Sequence, residues 1–132
     1  MAVPWNSEQR GAVAAALDAA VPGASDLGGV DYVENLLSAF DHVPPRIWAG
    51  PSGWLELGPW EQHAWRERIA MWRAIYERVI AGEHAPGDGR VLHTHACEAT
   101  YGDPAYGGNR GEAGWQRINF PAPIFPPARD AS

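Results

Sequence analysis

The sequence predicts an all-α protein, a small bundle of about four helices followed by a long irregular Gly/Pro-rich C-terminal strap. Three observations predict it. Apolar residues recur with a helical period in separate stretches, and each stretch is opened by a capping residue or closed by Pro or Gly. The alternating strands that an all-β fold needs are absent. The last 32 residues, Tyr101 to Ser132, hold five Gly and five Pro, too many for a regular element. At 132 residues the chain is one domain, with a helical body over about 6–100 and the strap over about 101–132.

The elements follow in order. Asn6 or Ser7 caps a first helix, with Gln9 three residues after Asn6 as in a capping box, and the helix runs to about Ala20, where Pro22 and Gly23 stop it. Its apolar positions Val13, Ala16, Leu17 and Ala20 are mostly small, which permits close approach to a neighbour. Ser25 or Asp26 opens a second element. From Val30 to Phe40, Tyr32, Val33, Leu36, Leu37 and Phe40 take one face and Asp31, Glu34, Asn35 and Ser38 the other. Pro44-Pro45 ends it, and the segment from Arg46 to Trp54 reads as a loop.

Gly58-Pro59 starts a long helix that Gly82 closes near Ala81. Its apolar residues, from Trp60 through Trp72 to Ile80, span an arc of roughly 200°, twice the stripe an ordinary surface helix buries. Such a helix is central or shared, and Trp72 is expected in the core. Arg68 falls inside the arc, so its guanidinium must reach solvent or find a carboxylate, while Arg73 and Glu77 read as i, i+4 helix support. Gly87-Asp88-Gly89 is a turn, and Arg90 to Thr100 forms a fourth helix with Val91, Leu92, His95, Ala96 and Ala99 toward the core.

Charge narrows the functional classes. Ten Arg, no Lys and sixteen acids give a net charge of −6, which argues against nucleic-acid binding through phosphate contacts. One Cys excludes an internal disulfide framework and an iron–sulfur cluster held by this chain alone. The N-terminal residues carry neither a basic stretch before an apolar run nor a twin-arginine pair, and no window approaches eighteen apolar residues, so a soluble chain without direct membrane insertion is expected. There is no phosphate loop: Gly107-Gly-Asn-Arg-Gly lacks the lysine and the strand-to-helix setting. No catalytic and no cofactor-binding residue emerges.

The one chemical cluster is His93-Thr-His95-Ala-Cys97. On a strand all three side chains share a side and offer a metal three ligands; on a helix only His93 and Cys97 are neighbours. The plainer reading is partly buried neutral histidines near a helix end. Seven Trp in so short a chain exceed what one small core needs, and Trp is enriched where partners meet. Trp48, Trp54, Trp60, Trp65 and Trp115 are therefore candidates for a protein interface.

Two stretches resemble a known family. Residues Ala16 to Leu37 resemble the “D-x-x-x-P…G-A…G-V-x-x-Y-[IV]-[DE]-x-L-L” opening of the gluconate 2-dehydrogenase subunit 3 family. Tyr101-Gly-Asp-Pro-Ala-Tyr-Gly-Gly-Asn-Arg-Gly-Glu-Ala-Gly-Trp is similar to its “G-[FY]-x-D-P-x-Y-G-G-N-[RK]-[DG]…G-W” signature, with Ile118-Asn-Phe-Pro following where the family often has an aromatic-proline-glycine. The resemblance implies a mainly helical accessory subunit that clasps a large FAD-bearing dehydrogenase subunit of the glucose-methanol-choline type. The flavin and any redox relay then belong to that partner or to a separate cytochrome. By the same resemblance Asp103, Pro104, Tyr106, Gly107, Gly108, Asn109 and Trp115 are structural and partner-contacting positions. Members often carry a twin-arginine leader, so family analogy gives a periplasmic location where the chain as it stands gives a cytoplasmic one. The alternatives are a small metal-dependent enzyme using His93, His95 and Cys97, and a helical protein that uses its aromatic surface on itself.

Overall fold

The computed structural model describes residues 3–48 and 54–101. It is helical, as expected, with a two-stranded sheet the sequence reading did not include. Tyr101, read as the first residue of the strap, is the last of a helix and packs on the core, while the rest of the strap, with the Asp103 to Trp115 signature, lies outside the described residues.

Helix α1 spans Ser7–Ala20. Asn6 Oδ1 accepts from the Gln9 backbone at 2.8 Å and Gln9 Oε1 accepts from the Asn6 backbone at 2.9 Å, so the capping box closes in both directions. Val13 and Leu17, one turn apart, are fully buried. A short 3₁₀ turn, Ser25–Leu27, leads into α2, Gly29–Leu37. Asp18 at the end of α1 holds that turn by accepting from the Ser25 backbone and hydroxyl at 2.8 and 2.6 Å. Gly29 is required by space: a Cβ there stands 2.8 Å from the Ala24 carbonyl oxygen.

Helix α2 is shorter than its pattern predicts. It ends at Leu37, and Ala39–Asp41 forms a separate 3₁₀ turn. The reason is tertiary: Arg73 donates to the Leu37 carbonyl from Nε at 3.0 Å and Nη2 at 2.8 Å, and to Asp41 at 2.7 Å. A cation at a helix C-terminus satisfies carbonyls that the helix itself leaves open. Arg73 therefore joins two helices in addition to any support it lends along its own.

The predicted loop after Pro45 contains a hairpin. Strand β1, Arg46–Trp48, pairs antiparallel with β2, Trp54–Glu56, with Arg46 opposite Glu56, Ile47 opposite Leu55 and Trp48 opposite Trp54. Three residues per strand are too few to show a two-residue period, and the intervening Gly and Pro read as a loop. Leu57 then donates to the Pro45 carbonyl at 2.8 Å, closing the base of the hairpin.

Helix α3 spans Pro59–Ala81, with Gly58 as N-cap, Pro59 in the first turn and Gly82 at φ 75° as the C-cap, all at the predicted positions. Helix α4, Asp88–Tyr101, begins two residues before the predicted start. Asp88 sets that start: its carboxylate accepts from the Ala85 backbone at 2.9 Å and takes both Arg78 Nε and Nη2 at 2.8 and 2.7 Å. Those Arg78 contacts hold the Asp88 carboxyl down to about 2.

The main core lies where α1, α2, α3 and α4 meet, around Leu17, Val33, Leu37, Tyr76 and Ala96. Trp5, ahead of α1, is buried in it, and its backbone N–H donates to Glu34 Oε2 at 2.6 Å. Glu34 also pairs with Arg10, which reaches Asp31 at 2.8 Å, so α1 is clamped to α2 by charge as well as packing. A second, smaller cluster of Ala39, Leu57 and Ile69 seats the hairpin against α3. Trp72 is half-buried and packs against both clusters, which makes it the seam between them rather than the centre of one.

Candidate functional site

Helix α3 does not bury its wide apolar arc. Ile69, Ile75 and Tyr76 are buried, whereas Trp60 is 84% exposed and Met71 52% exposed. Trp60, Ala64 and Met71 fall within about 40° of one another on the wheel, a line along the outer side of the helix, and Ala64 is exposed as well. Trp65 is half-buried. Arg68 is exposed, reaching solvent as expected, and its guanidinium lies over the Trp65 ring at 4.8 Å.

Around the helix from that line, α3 and α4 enclose a groove of about 370 Å³. Trp65, Arg68 and Trp72 come from α3, one turn apart; Arg90, Thr94, His95 and Glu98 come from the facing side of α4. An aromatic series continues inward. Trp65 meets Trp72 edge-on at 6.1 Å, Trp72 meets the His95 ring edge-on at 4.8 Å, and Tyr76 stacks on His95 at 5.8 Å with the planes 7° apart. Trp5 closes the series against Tyr76 at 5.7 Å.

Burial determines what this cluster can do. His95 is 1% exposed, and desolvation of the charged form brings its pKa down to about 4. Burial pushes the Tyr76 phenol far up. A neutral imidazole therefore faces a neutral phenol at neutral pH, with the Tyr76 oxygen 2.8 Å from His95 Nδ1. Neither group changes protonation near pH 7, so the contact holds α3 to α4. Glu98, beside the groove, is also pushed up by burial, offset by a hydrogen bond from Tyr32 on α2.

The metal trio of the sequence reading divides across α4. His93 and Cys97 sit one turn apart, with Cys97 Sγ 3.8 Å from Nδ1 and 3.7 Å from Nε2 of His93. His95, two residues from each, is turned roughly 200° away into the core, where it meets Tyr76. Among the described residues no group of three or more His, Cys, Asp or Glu is placed to hold one metal ion.

The remaining interface candidates are distributed as follows. Trp54 is half-buried on β2, with the His42 ring 4.6 Å away and the Arg46 guanidinium 5.4 Å from its ring centre. Trp48 pairs with it across the hairpin. Trp115, Asp103, Pro104, Tyr106, Gly107, Gly108 and Asn109 lie outside the described residues. Sequence reasoning missed the Tyr76–His95 contact, the Arg73 cap on α2 and the role of Glu34 as acceptor for both Trp5 and Arg10. His95 was visible as a core-facing position; its partner was not, because the two lie on different helices. Among the described residues no helix is long and apolar enough to cross a membrane. No family model, curated protein or solved structure matches the chain.

Proposed function

We propose that this chain is a non-catalytic small subunit that binds a large FAD-dependent dehydrogenase subunit of the glucose-methanol-choline type and stabilises or assembles it, the pair oxidising a sugar or an alcohol. The observation that carries the reading is Trp60, 84% exposed in line with Ala64 and Met71 on the longest helix. Covering one indole removes about 150–250 Å² from water. At about 25 cal/mol per Å² that is worth about 4–6 kcal/mol before the cost of association. A Trp left this exposed is the kind of anchor that interfaces concentrate, and Met71 lies about 16 Å further along the same side of the helix. The Asp103 to Trp115 signature supports the identity of the partner class through its resemblance to the gluconate 2-dehydrogenase subunit 3 family.

In this arrangement the flavin belongs to the partner and supplies the redox chemistry there. The residues of this chain bind and position the partner. The test is co-purification from cells that also produce the flavoprotein. The expected result is a complex showing flavin absorbance and dehydrogenase turnover, both lost from the eluate with Trp60→Asp while the variant melts at the temperature of the parent. Turnover by the isolated chain would overturn the proposal, as would a homodimer that Trp60→Asp dissociates and that binds no flavoprotein.

A further inference from the structure

Helix α4 runs back along α3 and stops short of its far end. Arg78 meets Asp88 where the two helices are joined and Trp72 meets His95 further on, which fixes the antiparallel direction. From the Trp72–His95 contact, α3 has 13 residues to run back to Pro59 while α4 has 6 left to Tyr101. At about 1.5 Å per residue, α3 extends about 10 Å beyond the end of α4. Trp65, seven residues back from Trp72, stands level with that end. The chain therefore leaves α4 at the Trp65 end of the groove between the two helices.

The sequence continues for 31 residues past Tyr101. Within them Phe120-Pro-Ala-Pro-Ile-Phe-Pro-Pro127 carries no charge, and Pro123 and Pro126 have PxxP spacing, three residues or one turn of polyproline II apart. A polyproline II segment has no internal hydrogen bonds, so its carbonyls need outside donors, and aromatic-lined grooves recognise it. The α3–α4 groove offers both. Trp65 and Trp72 supply rings set edge-on to each other, and the exposed Arg68, Arg90 and Thr94 supply donors. An uncharged segment brings no ion to desolvate.

The dimensions agree. Along α4 the groove runs from Arg90 to Glu98, about 12 Å, which about four residues of polyproline II span at about 3.1 Å each. The 18 residues between Tyr101 and Phe120 reach up to about 60 Å when extended, so the connection is long enough. A tether of that kind holds the segment near the groove at about millimolar effective concentration, enough for weak contacts to suffice. We infer that the groove lined by Trp65, Arg68, Trp72, Arg90 and Thr94 is the docking site of the chain's own Phe120 to Pro127 segment. The docking uses neither the Trp60 line nor the Asp103 to Trp115 signature, and stands independently of the proposed partner.

Phe40, Phe120 and Phe125 are the only phenylalanines in the sequence, so fluorine NMR of the full chain labelled with 4-fluorophenylalanine gives three signals, assigned by Phe120→Leu and Phe125→Leu. Phe40, with Arg66 over its ring, is the internal reference. In the expected result the Phe120 and Phe125 signals are displaced from those of a labelled synthetic peptide of residues 118–128, and stay displaced on dilution. Arg90→Glu with Thr94→Glu, both exposed positions of α4, removes donors, sets carboxylates against the segment's carbonyls and returns the two signals to the peptide positions. Phe40 and the far-ultraviolet circular dichroism stay unchanged in that variant, and Trp60→Asp leaves all three signals in place. Parent signals that coincide with the peptide's, or a displacement that survives the double substitution, overturns the inference. A displacement lost on dilution overturns it too, by assigning the segment to the groove of a second copy.

Discussion

Tyr76 of α3 and His95 of α4 stack nearly parallel, 7° apart, with the phenol oxygen 2.8 Å from the imidazole Nδ1. Both side chains are buried, so the contact joins two helices at a point water does not reach. Removing one side leaves the other desolvated and unmatched. Tyr76→Phe should therefore cost about 1–3 kcal/mol of stability, read as a lower melting temperature or denaturant midpoint with an unchanged slope.

The same burial makes stability depend on acid. His95 has a pKa of about 4 when folded and 6.5 as the ordinary value, so between those limits the unfolded chain binds the extra proton. Stability is full above pH 6.5 and is lost as pH falls toward 4, by about 3 kcal/mol in total. Glu98 works in the opposite sense, because its carboxyl is pushed up. His95→Gln should be less stable at pH 7 and markedly flatter across this window, as followed by thermal melting in a pH series. An equally steep slope in the variant would show that His95 is not the group responsible.

Asp88 gives a second, lower window. Its carboxyl is held at about 2 against an ordinary 3.8, first by the hydrogen bonds from Arg78. The stabilisation is present above pH 3.8 and disappears as pH falls toward 2. Asp88→Asn should lower the melting temperature at pH 7, and the gap between variant and parent should close as pH falls through this range. A gap that stays constant would assign the effect to lost capping rather than charge.

Two glycines should respond in opposite directions. Gly29→Ala sets a Cβ 2.8 Å from the Ala24 carbonyl oxygen, backbone that cannot yield, and should cost about 1–3 kcal/mol. Gly11 lies inside α1 with nothing within 4 Å of its added Cβ. Gly11→Ala should stabilise by about 0.5–1 kcal/mol through lost unfolded-state freedom. Chemical denaturation of both variants checks the pair.

Two tryptophans on one helix should behave differently. Trp72 joins the two apolar clusters, so Trp72→Ala opens both and should cost about 3 kcal/mol or more. Trp60, 84% exposed, should change the melting temperature of the isolated chain little, by about 0.5 kcal/mol or less for Trp60→Ala. Equal destabilisation by both would remove the reason for reading Trp60 as a surface anchor.

The sequence by itself determined the helices whose signals are local. Asn6 with Gln9, Gly58-Pro59 and Gly82 each mark an end through bonds made within four residues, and all three stand where they were read. It also showed that α3 has more apolar surface than one neighbour can cover. What it could not show are the contacts made across the fold. Arg73 ends α2 from 36 residues away, Glu34 gathers Trp5 and Arg10 from ahead of and within α1, and Tyr76 finds His95 on another helix. The hairpin escaped for the same reason, since a three-residue strand is defined by its partner. Only packing decides which side of an apolar helix is left over: Trp60 and Tyr76 are both aromatic residues of α3, and their exposures of 84% and 0% depend on where α1, α2 and α4 come to rest.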